Sequence, residues 1–320
     1  MNNTIPEIIE KLLDIRKCAI FCHARPDGDA LGSALALQRQ LRALGKEADM
    51  IVESEVPDKF FFMPVMKEVL NEIPAGKYDA FISVDSADVK RIGKFADAYT
   101  RFRGTTINID HHISNPGYAK YNYVQECCAC CDILTDIFRE AGWEPDIVTA
   151  NLLMLGLITD SGNFTHSDVT EKTYIDAGYL RACGADPHEI NYNMYDRQVK
   201  ERALLHGRVM SQMKFFCEDR VAVIVIRNQD MDELGAKRSI TEGYVDFPLS
   251  VDTVEVAISM LQQEDPNDYK VSFRSKGRAN VNEVAVSFKG GGHVLASGCE
   301  IFGTEEQCIR RLIDAVSKVL

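Results

Sequence analysis

The chain has 320 residues, of which 46% are hydrophobic, and a formal net charge of -12 at pH 7. This charge argues against a protein that coats nucleic acid through a broad basic surface, because that mode needs clustered lysines and arginines. Ten cysteines are too few for a disulfide-stapled secreted domain, and acidic side chains occupy the first twenty residues, where a signal peptide would be apolar. We therefore expect a cytoplasmic protein of two domains without a membrane segment.

The first half of the chain alternates helical periodicity with short apolar runs. Helices are predicted over 6–17 and 30–44, and strands in "CAIFCH", "ADMIVE", "DAFISVD" and "TTINIDH". Strands separated by helical segments indicate a parallel sheet with helices on both faces. Residues 129–195 are mainly helical in pattern, and "NLLMLGLITD" reads as a buried helix.

The sequence pattern changes from mainly helical to mainly strand-like after a predicted linker helix at 196–213. Three strand-like runs follow, "RVAVIVI", "VEVAISMLQQ" and "YKVSFRS", and Thr304 is the expected N-cap of a closing amphipathic helix. The predicted organisation is thus an α/β domain over 1–195, the linker helix over 196–213, and a smaller α+β domain over 214–320.

Acidic and histidine side chains follow several of the predicted strands and the end of the buried helix. They are His23, Asp27, Asp29, Asp85, Asp110, His111, His112 and Asp160. Each alone is typical of a helix cap or a hydrogen-bonded structural residue. Ligands, however, collect at the carboxyl ends of parallel strands, and so many ionisable groups are costly to gather without a compensating cation.

Carboxylate and imidazole ligands without thiolate favour a divalent ion such as Mn²⁺, with Mg²⁺, Co²⁺ and Zn²⁺ as competitors. The number of groups allows two ions about 3.5–4 Å apart, the spacing typical of two-metal phosphoryl chemistry. Such a pair needs a bridging carboxylate. Asp85, alone at the end of a central strand, is the candidate.

In chain order, "HARPDGDALGS", "VDSAD", "NIDHH" and "TDSGNF" resemble the four N-terminal motifs of the DHH phosphoesterase family. The segment "SFRSKGRANVNEVAVSFKGGGHVLASG" is similar to the signature of the associated DHHA1 domain. Within this family, a two-domain chain of this length most resembles the nanoRNase group, which degrades very short oligoribonucleotides and dephosphorylates 3'-phosphoadenosine 5'-phosphate.

The resemblance implies a role for each motif residue of the first domain. One metal would be held by His23, Asp27 and Asp85, and a second by Asp29, Asp85, His111 and Asp160. His112 would face the substrate phosphate as a catalytic residue. Asp110 would orient a neighbouring imidazole or assist proton transfer. Asp88 and Arg91, after the second motif, are expected to cap a helix or form a local ion pair.

In the second domain the resemblance implies a binding site for the substrate. Its residues would be Arg274, Ser275, Gly290, Gly291, Gly292 and His293. Glycines let backbone N–H groups approach an anion closely, and a guanidinium can bind two phosphate oxygens at once.

The implied activity is hydrolysis of short oligoribonucleotides such as pApA, of 3'-phosphoadenosine 5'-phosphate, or of both, by attack of a hydroxide that bridges the metals. Cyclic di-AMP is the alternative substrate. A non-catalytic nucleotide-binding module is a remote alternative, because every predicted metal-ligand position carries an ionisable residue, and an enzyme that had lost its activity would be expected to lack at least one. A homodimer is compatible with the architecture, whereas long duplex nucleic acid is not an expected partner. Ser161 and Asn163 replace the Thr and Arg that are common in the fourth motif. The loss of the Arg removes a positive charge near the expected path of the phosphate and leaves the substrate preference open.

Four cysteines fall within five consecutive residues of "VQECCACCDIL", namely Cys127, Cys128, Cys130 and Cys131. Near-adjacent cysteines cannot all point at one ion without distorting a helix, so we expect tight packing rather than a metal site. Because a helix N-terminus lowers thiol pKa, one of them is also expected to oxidise readily.

Overall fold

The computed structural model describes residues 2–320. The chain divides into two compact units, the first ending at Arg197 and the second beginning at Gln198. Across the described residues, the helices are too short or too polar to traverse a bilayer.

The first unit is built on five parallel strands in the order β2-β1-β3-β4-β5. The strands are β1 (Lys17–Phe21), β2 (Glu47–Ile51), β3 (Ala80–Val84), β4 (Thr105–Asp110) and β5 (Tyr121–Val124). The helices are α1 (Ile5–Asp14), α2 (Gly28–Ala43), α3 (Ala96–Arg101), α4 (Cys130–Glu140), α5 (Ile147–Asp160), α6 (Glu171–Ala182) and α7 (Pro187–Asn191).

Both faces of this sheet are covered. Alternate side chains of β1 point to opposite faces, so that Cys18 and Ile20 join the core formed with α2, α4 and α5. Ala19 and Phe21 instead join a second, smaller core. The predicted α/β fold with helices on both sheet faces is confirmed.

The second unit contains a six-stranded mixed sheet in the order β10-β11-β9-β8-β7-β6, in which only β7 and β8 pair in parallel among the described strands. The strands are β6 (Lys214–Phe216), β7 (Val221–Ile226), β8 (Val256–Gln262), β9 (Asp268–Ser275), β10 (Gly291–Gly292) and β11 (Ala296–Phe302). The helices are α8 (Lys200–Ser211), α9 (Asn228–Leu234), α10 (Asp246–Leu249), α11 (Val281–Ser287) and α12 (Glu305–Val316).

This unit has its own apolar core, which includes Phe273 from β9 and Leu312 from α12. Thr304 caps α12 in a capping box with Gln307, as the sequence predicts. The predicted smaller α+β domain is confirmed as a fold class. The hairpin of β10 and β11 was not predicted, because its glycine-rich sequence lacks the alternation of a half-buried strand.

Candidate active site

The predicted metal-binding side chains of the first unit follow the carboxyl ends of three parallel strands and one helix. His23 follows β1, Asp85 follows β3, His111 follows β4, and Asp160 ends α5. Asp27 is the N-cap of α2, and its Oδ1 accepts hydrogen bonds from the N–H groups of the second and third residues after it. Its capping role leaves Oδ2 directed at His23, 3.4 Å away.

Asp85 lies at the centre of the cluster, with each carboxylate oxygen near a different histidine. Its Oδ2 is 3.4 Å from His23 Nε2, and its Oδ1 is 3.4 Å from His111 Nε2. The residue has a positive φ of 47°, which is uncommon outside glycine but tolerated by aspartate, and its N–H donates to the carbonyl of Ile109. The turn thus holds a buried carboxylate over the ends of β3 and β4.

Three groups of side chains bring ligand atoms within 4.8 Å of one another. They are His23, Asp27 and Asp85; Asp29, His111 and Asp160; and Asp85, His111 and His112. The structure therefore brings together all six residues that the sequence nominates as metal ligands. Their role as ligands remains a prediction.

The electrostatics of the cluster fit a divalent cation. Burial opposes ionisation of Asp85, but hydrogen bonds from His111 and His23 overcome this effect and lower its pKa. Burial likewise disfavours the charged form of both histidines, yet the carboxylates beside them raise the pKa of each to about 10. The carboxylates thus attract positive charge at the histidine rings, as they would attract a bound cation.

The carboxyl groups of Asp29 and Asp160 indicate an excess of negative charge within the cluster. Burial, followed by the charge of Asp85, raises the pKa of Asp29 to about 7. Burial, followed by the charge of Asp29, raises the pKa of Asp160 to about 8. A cation among these oxygen and nitrogen atoms would remove the repulsion, so the residues present fit a site for divalent metal.

Backbone groups near the cysteine-rich segment orient two of the predicted ligands. His111 Nδ1 lies 3.1 Å from the carbonyl oxygen of Cys127, a contact that leaves Nε2 directed at the carboxylates. The N–H groups of Cys130 and Cys131 donate to the two carboxylate oxygens of Asp29, at 2.6 and 2.9 Å. Sequence reasoning missed these contacts, because they use main-chain atoms that every residue carries.

The four cysteine side chains are otherwise packed as expected. Cys128, Cys130 and Cys131 are at most 1% exposed, and Cys127 is half-buried against the core of the first unit. The expectation of a lowered thiol pKa is wrong. Burial raises the pKa of Cys128 to about 12 and that of its three neighbours further, because desolvation of a thiolate outweighs the helix N-terminus.

The two predicted catalytic residues form a hydrogen-bonded pair. His112 Nδ1 lies 2.9 Å from Oδ1 of Asp110, which is fully buried. The other oxygen of Asp110 accepts from Asn115 Nδ2 at 2.6 Å. This carboxylate fixes the imidazole ring with Nε2 facing outward, the arrangement expected of a group that contacts substrate. Asn115 was not predicted, although it lies only three residues beyond the third motif.

A local turn explains the two departures in the fourth motif. Ser161 is fully buried, and its Oγ accepts the N–H of Phe164 at 2.8 Å. Asn163 is exposed with a φ of 58°, a left-handed conformation that asparagine adopts more readily than most residues. Both residues therefore stabilise the turn that follows Asp160.

In the second unit, the predicted substrate-binding residues lie at the end of β9 and on the adjoining hairpin. Arg274 pairs with Ala296 across β9 and β11, and the N–H of Ser275 donates to the carbonyl of Leu295. His293 is exposed at the turn of the hairpin. The structure thus gathers these residues at one end of the sheet, and their contact with substrate remains a prediction.

The three glycines of "GGGH" differ in whether the surrounding structure would admit a side chain at their positions. A Cβ on Gly290 would lie 2.1 Å from the carbonyl oxygen of Gly298, and Gly292 has a φ of 150° with a similarly close contact. Gly291 faces open space. Packing therefore requires two of the glycines, whereas the surroundings of Gly291 leave room for a side chain, and its contact with an anion remains a prediction.

A cavity of about 500 Å³ in this unit is lined by Arg238, Lys270 and Arg274 among other residues. Arg274 Nε lies 3.2 Å from Asp246 Oδ1 in a partly exposed ion pair. Ser275 is buried, and its hydroxyl accepts the N–H of Gly277. Glu242 also lines the cavity, so three cations face one carboxylate, and this excess of positive charge is suited to an anionic ligand.

Two family models match this chain and together cover both units. The model of the DHH family, N-terminal domain, matches residues 17–157, and the model of the DHHA1 domain matches residues 218–320. The chain belongs to the DHH family. All eight predicted site residues of the first unit except Asp160 fall within the matched part of the DHH domain, and the predicted substrate-binding residues fall within the DHHA1 domain.

Relatives of this DHH protein include two curated bacterial enzymes named bifunctional oligoribonuclease and PAP phosphatase NrnA. The one from Thermus thermophilus is 29% identical, covering 94% of this chain and 89% of the relative. The one from Bacillus subtilis is 26% identical, with 89% of each chain covered. The crystal structure of an exopolyphosphatase-related protein from Bacteroides fragilis matches with a TM-score of 0.82 and 26% identity, over 98% of this chain and 95% of that chain. The predicted family and enzyme class, a metal-dependent phosphoesterase, are confirmed.

Proposed function

We propose that this DHH protein hydrolyses very short oligoribonucleotides such as pApA, as well as 3'-phosphoadenosine 5'-phosphate, with two bound Mn²⁺ ions. The names of the curated relatives support this substrate class. The observation that carries the proposal is the position of Asp85, whose two oxygens each lie 3.4 Å from a different histidine. A carboxylate so placed is suited to bridging two ions.

When bound, the two ions would lower the pKa of a shared water and neutralise charge on the attacked phosphate. His23, Asp27 and Asp85 would hold one ion. The other would be held by Asp29, Asp85, His111 and Asp160.

The protein's own contribution to the reaction is orientation and charge. Asp110 holds the ring of His112, so that Nε2 can donate to a non-bridging phosphate oxygen when the ring is protonated. The N–H groups of Cys130 and Cys131 fix the carboxylate of Asp29 in one orientation. Because these contacts are made before substrate binds, little reorganisation accompanies the reaction.

The second unit would bind the nucleotide. Arg274 has a guanidinium at the edge of a cavity, Gly291 offers exposed backbone, and His293 is exposed beside it. These groups suit a terminal phosphate and the base attached to it. Ser275 and the remaining two glycines would shape the backbone that carries them.

The test is a parallel incubation of the Mn²⁺-loaded protein with pApA, 3'-phosphoadenosine 5'-phosphate and cyclic di-AMP, followed by chromatography of the products. We expect mononucleotide from the first two compounds. Preferential cleavage of the cyclic compound would instead assign a cyclic dinucleotide phosphodiesterase. Absence of turnover on all three would contradict the proposal and favour a nucleotide-binding module.

A further inference from the structure

Arg91 is an exposed cation directly beside the predicted catalytic histidine. Its Nη1 lies 3.4 Å from His112 Nε2. Asp88 caps the short helix Val89–Phe95, which is one of the two roles that the sequence suggested for Asp88 and Arg91. The alternative, an ion pair, is not formed, because within residues 2–320 no carboxylate oxygen lies within 4.0 Å of the Arg91 guanidinium. Arg39 and Arg139 of this unit are paired, at 2.6 Å from Asp146 and 2.6 Å from Asp176, so their guanidinium groups are already engaged by carboxylates.

The backbone of Arg91 is attached to the loop that carries the first motif. Its carbonyl accepts the N–H of Ala24 at 2.6 Å, and its own N–H donates to the carbonyl of Asp88 at 2.9 Å. Two residues later, Gly93 has a φ of 70°, and a Cβ there would collide with Glu53 and Ala24. Close packing on both sides therefore fixes the position of the Arg91 Cα atom.

The geometry leaves most donors of the guanidinium free for a ligand. Because Asp110 accepts from His112 Nδ1, the favoured tautomer presents a lone pair at Nε2, to which Arg91 Nη1 can donate. A guanidinium has five N–H donors in a planar fork, and this contact engages one of them. The remaining donors can bind two oxygens of a single phosphate.

We propose that Arg91 binds the non-bridging oxygens of the phosphate under attack and stabilises the charge that develops there. The inference rests on the proposed function, because it assumes that His112 faces this phosphate. In the complex, a phosphate oxygen would replace His112 Nε2 as the acceptor for Arg91 Nη1, so that Arg91 and a protonated His112 would both donate to the same anion. Arg91 would be a catalytic residue rather than a structural one.

The experiment compares Arg91→Ala and Arg91→Lys with Lys90→Ala, which removes one positive charge from the neighbouring exposed position. For Arg91→Ala we expect kcat/KM on pApA to fall by about 10²–10³-fold, as for loss of one preorganised donor to a transition-state oxygen. Arg91→Lys should recover part of the loss. Lys90→Ala should stay within about twofold of the parent.

Binding of inorganic phosphate to the Mn²⁺-loaded protein, followed by calorimetry, tests Arg91 independently of turnover. We expect the Kd for phosphate to rise at least about 10-fold in Arg91→Ala only, with the number of bound Mn²⁺ ions unchanged. The inference would be overturned if Arg91→Ala had the same kcat/KM and the same affinity for phosphate as Lys90→Ala. If the parent protein turned over no nucleotide, the proposed function would fail, while the phosphate titration would still decide the role of Arg91.

Discussion

Asp110 combines complete burial with two charge-assisted hydrogen bonds, one to His112 and one to Asn115. In Asp110→Asn the amide can donate where the carboxylate accepted, which would reverse the tautomer of the imidazole. We expect kcat on pApA to fall about 10–100-fold, in line with other groups that orient a functional side chain. Mn²⁺ affinity should stay close to that of the parent.

Steady-state kinetics with a Mn²⁺ titration checks this prediction, and Asp97→Asn is its control. Asp97 is exposed on α3 and contacts only Arg101 among the ion pairs of the described residues. The control should behave as the parent protein does. A parental kcat in Asp110→Asn would rule out an orienting role for this carboxylate.

Asp132 predicts a pH dependence of stability at a second buried charge cluster, which contains none of the predicted metal ligands. Its carboxylate lies 3.2 Å from Lys172, and Lys172 lies 2.5 Å from Asp176. Burial, followed by the hydrogen bond with Asp176, raises the pKa of Asp132 to about 7. A raised folded-state pKa means that the protonated form stabilises the fold below pH 3.8, and that this stabilisation is lost as the pH rises through 7.

Asp132→Asn keeps a neutral side chain at every pH. Relative to the parent, its free energy of unfolding should rise by ~1–3 kcal/mol between pH 4 and pH 8. Urea unfolding with EDTA at both pH values measures this difference. Equal pH slopes in the parent and the variant would show that folding does not raise the pKa of Asp132.

At the scale of elements, α2 and α5 approach each other closely through glycine. A Cβ on Gly156 would lie 2.2 Å from Cys131 Sγ and 2.5 Å from Asp29 Oδ1, so α5 can contact α2 and α4 only without a side chain there. This approach brings Asp160, at the end of α5, towards Asp29 on α2. The small cysteine side chain is part of the same packing.

Gly156→Ala should destabilise the protein by ~1–3 kcal/mol, as overpacking of a well-filled core does, and should weaken Mn²⁺ binding because Asp29 is displaced. The matched control is Gly178→Ala, on α6, where a Cβ would meet no atom within 4 Å. The control should leave stability unchanged or raise it by up to ~1 kcal/mol. Thermal unfolding and a Mn²⁺ titration of both variants provide the comparison, and similar behaviour of the two would contradict the packing argument.

The sequence predicted elements well where an apolar, strand-like run ends at a residue that can bind metal. Examples are β3, which is followed by Asp85, and β4, which is followed by His111. It placed the buried helix only over 151–160, whereas α5 begins at Ile147 behind the N-cap Asp146. It missed the carbonyl of Cys127 and the N–H groups that hold Asp29. Such contacts depend on tertiary packing and on main-chain atoms, which are the same in every residue and therefore cannot be recognised from the sequence.

At the scale of the whole molecule, the chain holds two sheets with separate cores and a different set of predicted functional groups in each unit. The carboxylates and imidazoles lie in the first unit, and the cavity lined by three cations lies in the second. This division is consistent with an acidic protein that receives an anionic substrate. In the proposed function, metal ions and local arginines would supply the positive charge that the overall composition lacks.

Asp85, in the proposed function, bridges two metal ions that carry out phosphoester hydrolysis. The most direct test of this role counts bound Mn²⁺ per chain by calorimetry while turnover of pApA is measured, in the parent and in Asp85→Asn. We expect two ions in the parent, and in the variant fewer bound ions with kcat lowered at least about 100-fold. If Asp85→Asn bound two ions and turned over pApA at the parental rate, Asp85 would not be the bridging ligand.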